Sequence, residues 1–331
     1  MRPYKILIFD GDHLMHRCLH IASLRKLSFT VNGVKTPTGI VKGVLSSLGS
    51  IIVDQEPDLV FFCMTGGACN FRKEIYSGYK KKDKSYLDDF CTPEKGEEFS
   101  KKELLETQDS ILREILPDLG IRIGSAPGFE ADDIGMYLSV LYNSVNSGYQ
   151  TILITDDWDW AQSVEYGAHL YRPNAYSKGK APQYITPENF EGITGVNKKL
   201  FIFEKALLGD TSDKIPSVVK GMGEATCRKL ITGISKIPGL PINVDSIVDN
   251  SQGLISDKLY KLLVSNRENF RRNMNLMALN SSVLKNLRPH LDLCMSKEHS
   301  FDYNKALGHS RKYGLESVTD LLVSPALTRL K

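Results

Sequence analysis

Residues 4–12 read YKILIFDGD: a strand-like apolar run that ends on one carboxylate, Asp10, with a second two residues on, Asp12. Comparable runs recur at 58–64 (DLVFFCM), 121–123 (IRI) and 151–155 (TILIT), with helical patterns between them. TGIVKGVLSSLGSII fills the first gap, and SKKELLETQDSILREIL, opening on a Ser100–Glu103 capping box, fills the second. Strands alternating with helices predict an α/β fold with a mostly parallel central sheet flanked by helices. Residues 83–99 are polar and weakly periodic, which predicts a loop or arch-like insertion at about 80–105.

After about residue 185 the strand patterns stop. TPENF is a helix start with Thr186 as its cap. NKKLFIFEKALLGD carries a capping Asn197 and a helical stripe through Leu200, Phe203, Leu207 and Leu208. The turn GMG (221–223) separates it from a further helix beginning at Glu224. The chain therefore divides into an α/β unit over 1–185 and a helical unit over 186–331.

Composition sets wide bounds. The 331 residues are 41% apolar and 24% charged, the balance of an ordinary folded protein. No apolar run reaches membrane-span length, and MRPYKILIFD lacks the pattern of a signal peptide, so a cytoplasmic protein is expected, in a host cytoplasm if the source is a phage. Six scattered cysteines without CxxC pairing fit reduced thiols. Net charge is only +3, but residues 72–84 concentrate Arg72, Lys73, Lys80, Lys81, Lys82 and Lys84 around Tyr76 and Tyr79. Such a basic run with interleaved aromatics is a candidate nucleic-acid contact.

The acids matter more. TILIT runs into DDWDW, with Asp156, Asp157 and Asp159; IRI leads to GFEADD, with Glu130, Asp132 and Asp133 at a helix start; and Asp210 and Asp213 lie three apart in LLGDTSDKIPSV. Ligands of open parallel sheets bind beyond the carboxyl ends of the strands, so these acids are expected to converge there. Unneutralised, they would repel one another and raise their pKa values. Hard divalent cations answer that repulsion, Mg²⁺ or Mn²⁺, with two ions about 4 Å apart serving hydrolysis at phosphorus.

In this order, ILIFDGDHLMHR, TPTGIVKGVLSSL, FRKEIYSGYKKK, FEADD, TDDWDWAQSV and LLGDTSDKIPSVVKGMGEAT resemble the 5′-nucleases over roughly residues 4–232. That family includes phage flap endonucleases, the phage 5′–3′ exonuclease called RNase H, and the 5′-nuclease domain of bacterial repair polymerases. The resemblance implies a PIN-like core with a helix–three-turn–helix motif at about 198–232. It implies that Asp10, Glu130, Asp132, Asp133, Asp157, Asp159, Asp210 and Asp213 hold two divalent ions. Lys80 is matched to the lysine at the arch base and Tyr79 to its stacking tyrosine. GMGEAT, with Gly221 and Gly223, resembles the glycine turn that grips duplex phosphates, where relatives often bind potassium. Together these imply a 5′-flap endonuclease or 5′–3′ exonuclease. Its substrates would be flapped or branched DNA and RNA primers on DNA. It would act as a monomer, with a replication protein as a further partner.

Three departures accompany the match. Thr65 stands where the family carries an Asp after the second strand, and Asp12 is the nearby carboxylate available to compensate. Asp83 replaces an arginine, and DKIPS replaces DNIPG at 213–217. Thr65 also supports a rival, a catalytically impaired relative that binds branched DNA. A second rival, a haloacid-dehalogenase-type phosphatase, would share DGD and GDTSD but needs a strand before the latter. His13, His16 and His20 read as surface or core residues, Trp158 and Trp160 as packing. Arg267, Arg271 and Arg272 are either duplex contacts or a solvated helix face.

Overall fold

The computed structural model describes residues 2–82, 84–145, 148–173, 181–278, 285–291, 300–322, 324–328 and 330. Asp83, considered above, and Cys294, one of the six cysteines, lie outside the described residues. A six-stranded sheet has the order β5-β4-β1-β6-β7-β8. Its strands are β1 (Tyr4–Asp10), β4 (Leu59–Cys63), β5 (Arg122–Gly124), β6 (Tyr149–Ile154), β7 (His169–Arg172) and β8 (Gln183–Ile185). All neighbours pair in parallel except β7 with β8. A separate antiparallel hairpin joins β2 (Ser28–Val31) to β3 (Val34–Pro37).

The sequence of β1 explains its central place. Ile6 and Ile8 enter one core and Leu7 and Phe9 the other, because successive side chains alternate across the sheet. A strand apolar at every position can be covered only on both faces. On one face lie α1 (Gly11–Leu19), α3 (Gly39–Gln55) and α6 (Lys101–Asp118). On the other lie α7 (Ala131–Val145) and a 3₁₀ segment over Trp158–Tyr166. Short helices α2 (Ala22–Arg25), α4 (Asn70–Ile75) and α5 (Lys84–Cys91) connect these layers. The expected arch thus contains a helix, α5. The Ser100–Glu103 capping box at the start of α6 is formed.

Beyond Ile185 the described residues are helical: α8 (Phe190–Thr194), α9 (Phe201–Leu208), α10 (Glu224–Ser235), α11 (Val244–Asp249), α12 (Asp257–Ser265), α13 (Arg267–Met277) and α14 over 285–291. GDTSD therefore follows helix α9, not a strand, which removes the phosphatase reading. Phe190, Phe201, Leu207 and Phe270 share one continuous core with Ile6, Phe61 and Trp160, so packing does not break where the strands end.

The last helices, α15 (Tyr303–Tyr313), α16 (Thr319–Leu322) and α17 (Pro325–Thr328), return to the sheet. Ala306, Tyr313, Leu315, Val318, Leu327 and Leu330 join the core of α1, α3 and α6. Lys305 and His309 contact Asp118, and Lys312 and Tyr313 contact Glu114. Residues 301–330 hence pack against the unit predicted to end at 185, a placement that no local sequence signal announces.

Candidate active site

The carboxyl edge of the sheet opens into a pocket of about 310 Å³ lined by Asp10, Asp12, Glu130, Asp132, Asp157, Asp159, Asp210 and Asp213, with Thr65, Lys80, His13 and His16. Seven of the eight acids matched to the family's metal ligands line it; Asp133 does not.

Helix beginnings put most of them there. Asp10 caps α1, its Oδ1 accepting from the His13 N–H at 3.0 Å. Asp157 caps the 3₁₀ segment by accepting from the Asp159 N–H at 2.9 Å. Asp132 sits in the first turn of α7. Each position is electrostatically suited to an anion, because helix N-termini carry partial positive charge. Asp210 is set by its own turn, its Oδ1 accepting from the N–H groups of Ser212 (2.7 Å) and Asp213 (3.1 Å).

Crowding leaves its mark on protonation. Burial pushes Asp10 up to about 7, against hydrogen bonds from His13 and Thr155. Burial likewise raises Asp213 to about 6, with Lys80 opposing. Asp12 and Asp157 are raised by burial as well, and Asp132 adds to both shifts.

Protein cations offset part of this charge. Lys80 Nζ lies 3.0 Å from Glu130 Oε2 and 3.8 Å from Asp213 Oδ1. Burial alone would lower its pKa; Glu130, Asp213 and Asp132 outweigh that and hold it raised. Its backbone is fixed too, with φ at 48° and its N–H donating to the Asp213 carbonyl at 2.9 Å. Lys205, on α9, contacts Asp159 and lies 3.9 Å from Asp210. Burial lowers its pKa despite Asp210, Asp157, Asp213 and Asp132 nearby. The sequence reading missed Lys205; the signal was the one cation of a mostly apolar helix, five residues before Asp210. It also passed over His13 and His16. His13 Nε2 lies 3.6 Å from Asp156, which raises the imidazole pKa against burial.

Three expected roles need correction. Arg72, counted as a nucleic-acid contact, is only 2% exposed. It pairs with Asp133 through both terminal nitrogens (2.9 and 2.7 Å), approaches Glu130 at 3.3 Å, and donates from Nε to the Leu276 carbonyl at 2.9 Å. Asp133, counted as a metal ligand, spends its oxygens on Arg72 and on the Glu130 N–H. Tyr79, the expected stacking residue, is buried and donates its hydroxyl to Glu130 at 2.8 Å. The physical reason is that buried polar groups need partners: Arg72 and Asp133 pair with each other, and the Tyr79 hydroxyl is taken by Glu130.

The rest of the basic run, Lys73, Lys81, Lys82 and Lys84, is exposed. Lys82 Nζ sits 4.5 Å from the Tyr86 ring centre and 5.4 Å from that of Phe90. Gly221 and Gly223 are exposed at the start of α10, with Gly221 at φ 90° and Gly223 as the cap residue. Arg267 and Arg271 are paired with Asp245, and Arg272 lies over the Tyr76 ring.

The donor set suits a hard divalent ion. Among the described residues no three His, Cys, Asp or Glu side chains already form the shell of one ion. Mg²⁺ does not require such a cage: it keeps several waters and takes one or two carboxylates together with substrate phosphate oxygens. Repelling oxygens around an open pocket fit that demand.

A mostly parallel sheet carrying converging acids at its carboxyl edge, with a helical unit beside it, defines a resolvase-like nuclease fold. The chain belongs to the 5′-3′ exonuclease family: its N-terminal resolvase-like domain model matches residues 5–195. The chain is 29% identical over 269 residues to the 5′-3′ exonuclease of Bacillus subtilis, covering 81% of this chain and 83% of that one. It is 29% identical over 245 residues to the thermostable DNA polymerase I of Thermus aquaticus, covering 73% of this chain and 26% of the polymerase. It thus spans about a quarter of the polymerase relatives it matches. Among solved structures, the bacteriophage T5 flap endonuclease with DNA and metal ions superposes with a TM-score of 0.63 at 20% identity, covering 88% of this chain and 100% of that one. The catalytic core of Rad2 with DNA substrate gives 0.54 at 16%, covering 97% and 91%. At such identities these two likenesses speak for the fold alone.

Proposed function

We propose that this chain is a divalent-metal-dependent 5′ nuclease that hydrolyses phosphodiesters at 5′ flaps or 5′ ends of DNA and of RNA primers on DNA, leaving a 5′-phosphate. One observation carries the reading: acids from the end of β1, the residues after β6, the start of α7 and the turn after α9 line one pocket with Lys80. The name of the Bacillus relative and the T5 endonuclease bound to DNA and metal ions point the same way.

Asp10, Glu130, Asp132, Asp157, Asp159, Asp210 and Asp213 would hold the ions, Mg²⁺ or Mn²⁺, two in number. Bound there, such ions lower the pKa of water and stabilise charge on the phosphoryl oxygens. The chain's own groups do the rest. Lys80, charged and anchored by its backbone, places positive charge where the pentacoordinate phosphorus gathers negative charge. Lys81, Lys82 and Lys84, with Tyr86 beside Lys82, draw in the 5′ single strand. The N–H groups at Gly221–Gly223 and the start of α10 take duplex phosphates, with a potassium ion in that turn as a further element. The chain acts as a monomer in replication, in the cytoplasm, with a replication protein as its further partner.

The test is a 5′-labelled flap duplex incubated with Mg²⁺ or Mn²⁺. Cleavage near the junction, lost with EDTA and reduced at least ~100-fold in Asp157→Asn, is expected. Tight flap binding without cleavage under either metal would leave the impaired, branched-DNA-binding relative as the correct description.

A further inference from the structure

Two residues beyond the end of β4 stands Thr65, a neutral residue in a rim of acids. Its contacts run outward in both directions. The Thr65 N–H donates to Asp12 Oδ2 at 3.0 Å, and the Ala131 N–H donates to Thr65 Oγ1 at 3.2 Å. A single residue therefore joins the first turn of α1 to the first residue of α7.

Thr65 cannot drift, because Gly66 behind it is wedged. The Gly66 N–H donates to the Phe129 carbonyl at 3.0 Å, and a Cβ on Gly66 would stand 1.9 Å from the Ala126 carbonyl oxygen. Asp12 in turn lines the acidic pocket, with one oxygen fixed by Thr65 and the other engaged by no described residue. It also forms the wall between that pocket and a second cavity of about 430 Å³ bounded by Met15, Leu105, Asp109 and Arg113. Asp10 and Asp132 both stand close enough to repel it.

We propose that Asp12 is a direct member of the divalent-ion site and that Thr65 is its positioning residue. Together they supply, from α1, the carboxylate that the end of β4 does not carry. A threonine at 65 is then no defect: its N–H holds Asp12 while its hydroxyl oxygen holds the start of α7. The proposal rests on the metal-dependent reading above, and its test separates the two.

Mn²⁺ binding to the intact protein, followed by the loss of the free-ion paramagnetic resonance signal, is the readout, with circular dichroism as the folding control. Wild type is expected to bind. Asp12→Asn, which keeps size and can still accept from Thr65, is expected to weaken binding roughly tenfold or more, and Thr65→Val severalfold. Thr65→Ser, which keeps the N–H and the hydroxyl oxygen that accepts from Ala131, is expected to match wild type. Asp12→Asn combined with Thr65→Asp is expected to recover most of the loss. Wild-type binding with an unaltered Asp12→Asn overturns the proposal, as does a double variant no better than the single. Failure of wild type to bind Mn²⁺ overturns the metal-dependent reading itself.

Discussion

Arg72 decides more than any other side chain how the acids are shared. Its guanidinium, 3% exposed, neutralises Asp133 and touches Glu130. Removing one partner of such a pair leaves buried charge without compensation. Arg72→Met is therefore expected to cost about 3–5 kcal/mol in urea unfolding, and a loss below ~1 kcal/mol would show the pairing is dispensable. Protonation gives a second expectation. Asp10 at about 7 and Asp133 and Asp213 at about 6 keep protons in the fold that the unfolded chain has already released. The folded form then binds more protons than the unfolded one, so stability falls as pH rises through that window. His13, held raised by Asp156, loses its contribution as pH rises and acts in the same sense. EDTA-treated protein should melt at lower temperature at about pH 7.5 than at about pH 5, with Mg²⁺ restoring more at the higher pH. A flat melting profile would contradict the crowding. Finally, Lys80→Met should lower flap cleavage roughly 10²–10³-fold with little change in melting, since Lys80 is 42% exposed at its side chain.

Helix α7 shows what a sequence can and cannot disclose. The acids of EADD and the apolar stripe of Ile134, Tyr137 and Leu138 were readable as a helix start on a core. Which acid faces the pocket was not. Neighbours on a helix point about 100° apart, and it is the pairing of Asp133 with Arg72 on α4 that turns this acid away while Asp132 lines the pocket. β1, β4 and β6 were legible because continuous apolar runs have no other stable home. β7 and β8 were not: HLYR and QYI are short and mixed, and they become strands only by pairing with a neighbour already in place. The basic run misled for a related reason, since composition counts Arg72 and Tyr79 as surface while α13 and α7 enclose them. α7 also bears Gly135, whose added Cβ would fall 1.9 Å from Trp160. In an open helix Gly→Ala gains up to about 1 kcal/mol. Here Gly135→Ala is expected to destabilise by about 1–3 kcal/mol through overpacking. A more stable variant in thermal denaturation would mean that α7 and the 3₁₀ segment can slide apart.

Both cores of the sheet draw on distant chain: one reaches into the helices after 185, the other takes in residues 306–330. Leu315, Val318, Leu327 and Leu330 are all under 5% exposed against α1, α3 and α6. Burying each is worth about 1.5–3 kcal/mol, so the four together rival the 5–15 kcal/mol net stability of a typical protein. Truncation after residue 300 should therefore yield protein that melts early or aggregates, although the segment contributes nothing to the acidic pocket. A truncated chain with unchanged melting temperature and full flap cleavage would refute this. The same arrangement bears on how the molecule comes into being. As the polypeptide leaves the ribosome, the helices flanking β1 emerge early and must wait, greasy side outward, for a seal made some three hundred residues later. Nascent chains stalled short of that seal should be the species on which chaperones dwell longest.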